Sequence, residues 1–85
     1  MTDKPYEGWK NRQTWNVALW INNDEYLYRT AVEYVQERKA KGHKPTYSGF
    51  IKYARLANVR TGDNISFSGT RLDRNALTEM LEEME

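Results

Sequence analysis

Chemistry needs side chains that can transfer protons, attack or hold a metal, and this chain offers few of them in usable arrangements. It has one histidine, His43, and no cysteine. A zinc site needs three or four His, Cys or carboxylate ligands. His43 stands between Gly42 and Lys44 with no His or Cys companion, so it reads as a solvated loop residue. Glu79, Glu82, Glu83 and Glu85 carry oxygen ligands, but at the end of an amphipathic helix they read as its wet face. The "TGDN" stretch at residues 61–64 lacks the alternating oxygen ligands of a calcium loop. No H-E-x-x-H, G-x-S-x-G or glycine-rich phosphate loop occurs. The sequence therefore assigns no catalytic residue, metal or cofactor, and the expectation is a protein that is not an enzyme.

Charge is the sharper cue. The net value is +1, yet residues 38–60 hold seven cations and no acid, while residues 1–37 sum to −2 and residues 61–85 to −4. The cations are Arg38, Lys39, Lys41, Lys44, Lys52, Arg55 and Arg60, interleaved with Tyr47, Phe50 and Tyr53. Basic groups beside aromatics can grip phosphates and stack bases. The same groups fit an acidic protein surface or an ordinary solvated face, and the near-neutral total with an acidic C-terminal helix argues against a dedicated nucleic-acid binder. On the third predicted helix, Ser48, Lys52, Arg55 and Val59 share a face, which points Lys52 and Arg55 outward together.

The elements that must position these residues are helical. Asn11 is a good N-cap for a first helix through Ile21, with Asn22-Asn23 as a break, since Asn tolerates the left-handed conformation. Trp15, Ala18 and Leu19 lie on one side of it, and Val17, Trp20 and Ile21 extend the apolar arc. A second helix, capped by Asn23 and closed by Gly42, carries Leu27, Tyr28, Ala31, Val32 and Val35 as its stripe. Thr46 caps a third helix with Tyr47, Phe50, Ile51, Ala54 and Ala57, in which Gly49 costs about 1 kcal/mol relative to Ala. Residues 58–71 change period, with Gly62-Asp63 as a turn and Ile65 and Phe67 alternating with polar neighbours. Asp73 caps a fourth helix whose stripe is Leu77, Met80, Leu81 and Met84, with Leu72 and Leu77 as a hydrophobic staple. The expected fold is all-α: a compact bundle of about four short helices with one irregular or extended connection between the third and fourth. The expected core is Trp15, Leu19, Trp20, Leu27, Val32, Val35, Phe50, Ile51, Leu77, Met80 and Leu81.

Eighty-five residues make one domain, and a hydrophobic content of 39 % leaves little aliphatic core material. Three Trp, six Tyr and two Phe offset that, because each aromatic buries roughly 150–250 Å². Residues 1–10, with Pro5 and Gly8, read as a loose arm, and residues 11–85 as a single small helical domain. The first ten residues lack the apolar core of a signal peptide, and the longest apolar run, residues 17–21, is far below the ~20 residues of a membrane span. A cytoplasmic protein with no membrane partner is the expectation. Trp15 and Trp20 are five residues apart, about 140° around a helix, so one face cannot bury both. The tryptophan helix is nevertheless expected to be the hub around which the other three gather. Trp9, beyond the helix, is expected to be partly exposed and available to a partner.

The stretch "GWKNRQTWNVALWINNDEYLY", residues 8–28, resembles a small uncharacterised family seen mainly in tailed phages, cyanobacteria and haloarchaea with their viruses. Two later stretches, "TGDNISF" at residues 61–67 and "LDRNALTEML" at residues 72–81, resemble its turn and its C-terminal helix. Asn64 stands where that family commonly has Gly, and Phe67 where it commonly has Trp; the basic middle is outside the resemblance. What the resemblance implies is a setting, a phage-type accessory protein in a host cytoplasm, with no activity, cofactor or catalytic residue to transfer. Asn11, Thr14 and Asn16 belong to the motif, and each also reads as a helix cap or as a partner for a buried backbone group.

Three functional readings follow. The first is a regulator or inhibitor that binds a host protein, host-defence evasion being one form of it. The second is a nucleic-acid binder. The candidate binding residues for these two are Trp9, Arg38, Lys39, Lys41, Lys44, Lys52, Tyr53 and Arg55. The third is a structural, self-assembling component, a homo-oligomer built through exposed aromatics.

Overall fold

The computed structural model describes residues 8–84. Four helices follow one another: α1 (Arg12–Asn23), α2 (Glu25–Ala40), α3 (Tyr47–Ala54) and α4 (Arg74–Glu82). Among the described residues the remaining regular structure is one isolated antiparallel bridge, Arg60 to Ser66, in the connection between α3 and α4. The fold is the expected all-α bundle with its irregular connection.

The helix starts follow local chemistry. Asn11, Thr46 and Asp73 adopt extended backbone, and each side-chain oxygen accepts the N–H three residues on, from Thr14, Gly49 and Ala76. The break between α1 and α2 differs from expectation. Asn22 and Asn23 stay helical, the Asn22 side chain donating to the Ala18 carbonyl of its own helix at 2.8 Å. The chain turns instead at Asp24 in extended conformation, and Asp24, not Asn23, accepts from the Leu27 N–H. α3 ends at Ala54, three residues before the sequence pattern does, with Arg55 in the left-handed region at φ 61°. The Leu56 N–H closes back on the Ile51 carbonyl at 3.0 Å, an arrangement usually built on Gly.

The core is made by Val17, Ala18 and Ile21 of α1, Leu27, Ala31, Tyr34 and Val35 of α2, Tyr47, Phe50 and Ile51 of α3, and Leu77 and Leu81 of α4. Leu56, Phe67, Leu72 and Met84 close it. Of the expected core, Leu27, Val35, Phe50, Ile51, Leu77 and Leu81 are buried, while Trp20, Val32 and Met80 are half-buried against it. Leu19 is a correction: it is 39 % exposed. Thr14, Val17, Ala18 and Ile21 set the inward stripe, and at 100° per residue Leu19 sits about 150° from its centre. Trp15 and Trp20 fall about 110° to either side, and both are half-buried. Trp15 forms the wall of a surface groove with Trp9, not part of the core. The expected α2 stripe also shifts, since Tyr28 is 43 % exposed and Tyr34 is buried in its place.

α1 packs on α2 and α4, and α3 packs on α2 and α4; α1 and α3 do not meet. The tryptophan helix is therefore not the hub of the helix packing. Tyr34 joins α2 to α3. Its hydroxyl accepts the Thr46 N–H at 3.1 Å, and its ring lies against Phe50. A Cβ on Gly49 would stand 2.2 Å from that hydroxyl, so the glycine that weakens α3 locally is what admits Tyr34. Tyr47, fully buried, donates its hydroxyl to the Phe67 carbonyl at 2.5 Å and draws the connection onto the bundle. Burial pushes its hydroxyl far above the ordinary tyrosine range, against the opposing charge of Arg74.

Candidate functional site

The polar motif residues of α1 hold the chain between α3 and α4. Asn11 Oδ1 accepts from both the N–H and the hydroxyl of Thr14, and its amide donates to the Arg71 carbonyl at 2.8 Å. The Thr14 hydroxyl in turn accepts the Asp73 N–H at 2.9 Å, so the cap of α1 positions the cap of α4. Asn16 and Trp20 are one helical turn apart and meet the same partner. The Asn16 amide and the Trp20 indole N–H both donate to Asp63 Oδ2, at 2.7 and 3.0 Å. The Thr61 hydroxyl donates to Asn16 Oδ1 at 2.7 Å and accepts the N–H groups of Asp63 and Ile65. Asn16 is 1 % and Thr61 6 % exposed, so this is a satisfied buried network anchored on a surface carboxylate. The Asn16 and Trp20 hydrogen bonds, with a smaller contribution from the Arg12 charge, hold the Asp63 carboxyl below its ordinary range despite some desolvation.

This network fixes the Trp20 indole at the surface, between two grooves. One, about 320 Å³, is lined by Leu19, Trp20, Asn23, Asp24 and Asp63. The other, also about 320 Å³, is walled by Trp20, Tyr26, Leu27, Leu56, Val59 and Phe67, with Asp24 and Arg60 also in its lining. Gly62 lies under the indole, where a Cβ would come within 2.5 Å of the ring. Leu19, Tyr26 (69 % exposed) and Val59 surround it, giving an aromatic and aliphatic face.

The predicted binding residues are distributed over the segment before α1, the end of α2 with the loop after it, and α3 with its C-cap. Trp9 is half-buried against the core, between α1 and α4, and lines grooves with Trp15 and with Met80. Lys39 donates to the Glu82 carbonyl at 3.3 Å, and Lys41 lies 3.8 Å from Glu37. Arg38 is half-buried; its Nη2 reaches the Lys44 carbonyl at 3.4 Å and its buried Nε has no partner among the described residues. Arg60 donates to the Asn64 carbonyl. Lys52 and Arg55 are both exposed, but Arg55 has left the helix, so the shared helical face expected for them does not form. Tyr53 is 43 % exposed and its ring packs 5.4 Å from Tyr34. Desolvation, then the charges of Glu37 and Glu33, raise its hydroxyl above the ordinary range, placing acids beside the basic segment. His43 is exposed. The "loose arm" expectation falls on residues 1–7, outside the described residues, apart from residues 8–10.

Sequence reasoning missed the Trp20 face. Asn16 reads from the sequence as a helix cap or a partner for a buried backbone group, whereas its partners are the side chains of Asp63 and Thr61. The available signal was the four-residue spacing of two donors, Asn16 and Trp20, on one side of α1.

The model of DUF7249, a family of unknown function, matches residues 2–85. The chain belongs to that family. No curated protein and no solved structure matches it. The DUF7249 match runs through α1, the basic segment and the 61–67 turn alike, so all three lie within the family's extent.

Proposed function

We propose that this DUF7249 member is a non-enzymatic docking protein that binds another protein through the face centred on Trp20, as a phage-type accessory regulator or inhibitor in a host cytoplasm. The phage setting rests on the resemblance of residues 8–28. The docking reading rests on one observation: the Trp20 indole, held by Asp63 and Gly62, stands between two grooves with Leu19, Tyr26 and Val59 exposed around it. A pre-set aromatic anchor among exposed apolar side chains is the composition of an interface hot spot, because little side-chain entropy is left to lose on binding. The basic segment supports the nucleic-acid reading less well, since Lys39, Arg38 and Arg60 are turned to carbonyls of their own chain and Lys41 to Glu37.

The test is site-specific photo-cross-linking in cells that carry the gene. A photoreactive phenylalanine replaces Tyr26 or Val59 in one set of variants and Lys44 or Lys52 in another. Discrete protein adducts from positions 26 and 59 are expected. Adducts confined to positions 44 and 52, or adducts to nucleic acid, would overturn the proposal.

A further inference from the structure

The two grooves beside Trp20 are both largely apolar but differ in charge, and that difference specifies what the face would bind. The groove of Leu19, Trp20, Asn23, Asp24 and Asp63 has two carboxylates and no cation in its lining. Each carboxylate is half used. Asp63 Oδ2 takes the Asn16 and Trp20 donors and Asp24 Oδ1 takes the Leu27 N–H, while the second oxygen of each accepts nothing among the described residues. Arg12 acts on Asp63 only at a distance, forming no ion pair with it within 4 Å. The groove on the other side of the indole is lined by Tyr26, Leu27, Leu56, Val59 and Phe67 together with Asp24, which borders both grooves, and Arg60, whose guanidinium is turned to the Asn64 carbonyl; one acid and one base leave its lining without net charge.

Resting on the docking reading, we propose that the occupant of this face is a protein segment presenting an arginine beside an apolar side chain, with the guanidinium in the Asp24–Asp63 groove against the Trp20 indole and the apolar group in the Tyr26–Val59 groove. Charge complementarity selects a cation for a groove carrying two carboxylates. A guanidinium suits it better than an ammonium because its planar fork matches a carboxylate and its flat face stacks on indole. The apolar groove adds a second requirement, which a bare cation or a phosphate backbone does not meet.

The test is a ¹⁵N NMR titration of the full chain with three capped pentapeptides, Leu-Gly-Arg-Gly-Leu and the versions with Glu or norleucine in place of Arg. Saturable shifts of the Trp20 indole N–H and the Asp24 and Asp63 amides are expected with the Arg peptide, at a Kd on the order of 1 mM. Asp24→Asn, which keeps an N-cap oxygen, should weaken that binding about three- to fivefold by removing one charge. Asp63→Asn, which keeps an acceptor for Asn16 and Trp20, should act similarly. The proposal is overturned if the Glu or norleucine peptide binds as well as the Arg peptide. No shift up to about 10 mM, or shifts confined to residues 38–52, would also overturn it. Photo-adducts from positions 26 and 59 together with indifference to arginine would retain the docking face and remove this occupant. Adducts confined to positions 44 and 52 would remove both.

Discussion

Replacing Asn16 by Ala tests the network that holds the Trp20 face. Asn16 is 1 % exposed, and its carbonyl oxygen is the acceptor for the Thr61 hydroxyl at 2.7 Å. Thr61 is itself 6 % exposed, and its oxygen already accepts two backbone N–H groups, so without Asn16 its proton has nowhere to go. Orphaning a buried hydroxyl costs about 1–3 kcal/mol, and the vacated amide volume adds to it. The lost bond to Asp63 reaches a solvated carboxylate and adds little. The expected destabilisation is about 2–4 kcal/mol, a large part of the roughly 4–13 kcal/mol available to a chain of this length. Urea unfolding followed by far-UV circular dichroism, which does not depend on Trp20, should show the midpoint falling by about 2–3 M at an m-value near 1.2 kcal/mol/M. Thr61→Val removes the other end of the same bond, so the double variant should cost at least about 1 kcal/mol less than the two singles added together. A loss below about 1 kcal/mol for Asn16→Ala, or strict additivity with Thr61→Val, would refute the reasoning.

Other consequences follow from the same contacts. The Asp63 carboxyl is depressed in the folded state, so its contribution to stability is complete above the unfolded value near 3.9 and is lost as pH falls through the lower folded value. The Trp20 indole N–H resonance should follow that titration, and Asp63→Asn should abolish its pH dependence. Gly49→Ala gains about 1 kcal/mol of helix propensity but drives a methyl into the Tyr34 hydroxyl, so thermal unfolding should show net destabilisation of about 1–2 kcal/mol, relieved in the Tyr34→Phe background. Arg55→Gly removes a side chain from the left-handed cap and should leave the melting temperature unchanged or raise it, by up to about 1 kcal/mol in stability.

Much of the helical frame was legible because its signals are local. Asn11, Thr46 and Asp73 cap through oxygens that reach only three residues ahead, and Leu72 and Leu77 both bury where the staple pattern puts them. What failed depended on partners distant in sequence. Asn23 and Asp24 are both competent caps, and the choice of Asp24 follows from α1 continuing through Asn22, whose side chain also meets Met80 at 3.2 Å. The left-handed Arg55 carries no glycine to announce it. Leu19 was assigned to the core from a broad apolar arc, but the inward direction of α1 is set by packing on α2 and α4, which leaves Leu19 on the far side. By sequence alone Gly49 is a local defect in α3, because the Tyr34 hydroxyl that fills its space comes from fifteen residues earlier. The Trp20 face joins residues more than forty positions apart, so no window along the chain could reveal it.

The central claim is that α1 locks the 61–65 turn and so presents Trp20 on a pre-set face. Native-state hydrogen exchange at the Ile65 amide, which donates to Thr61 Oγ1, reads that lock directly. Exchange only through global unfolding, lost in Asn16→Ala, is the predicted result. Exchange at the rate of an unprotected loop in the unaltered protein would contradict the claim.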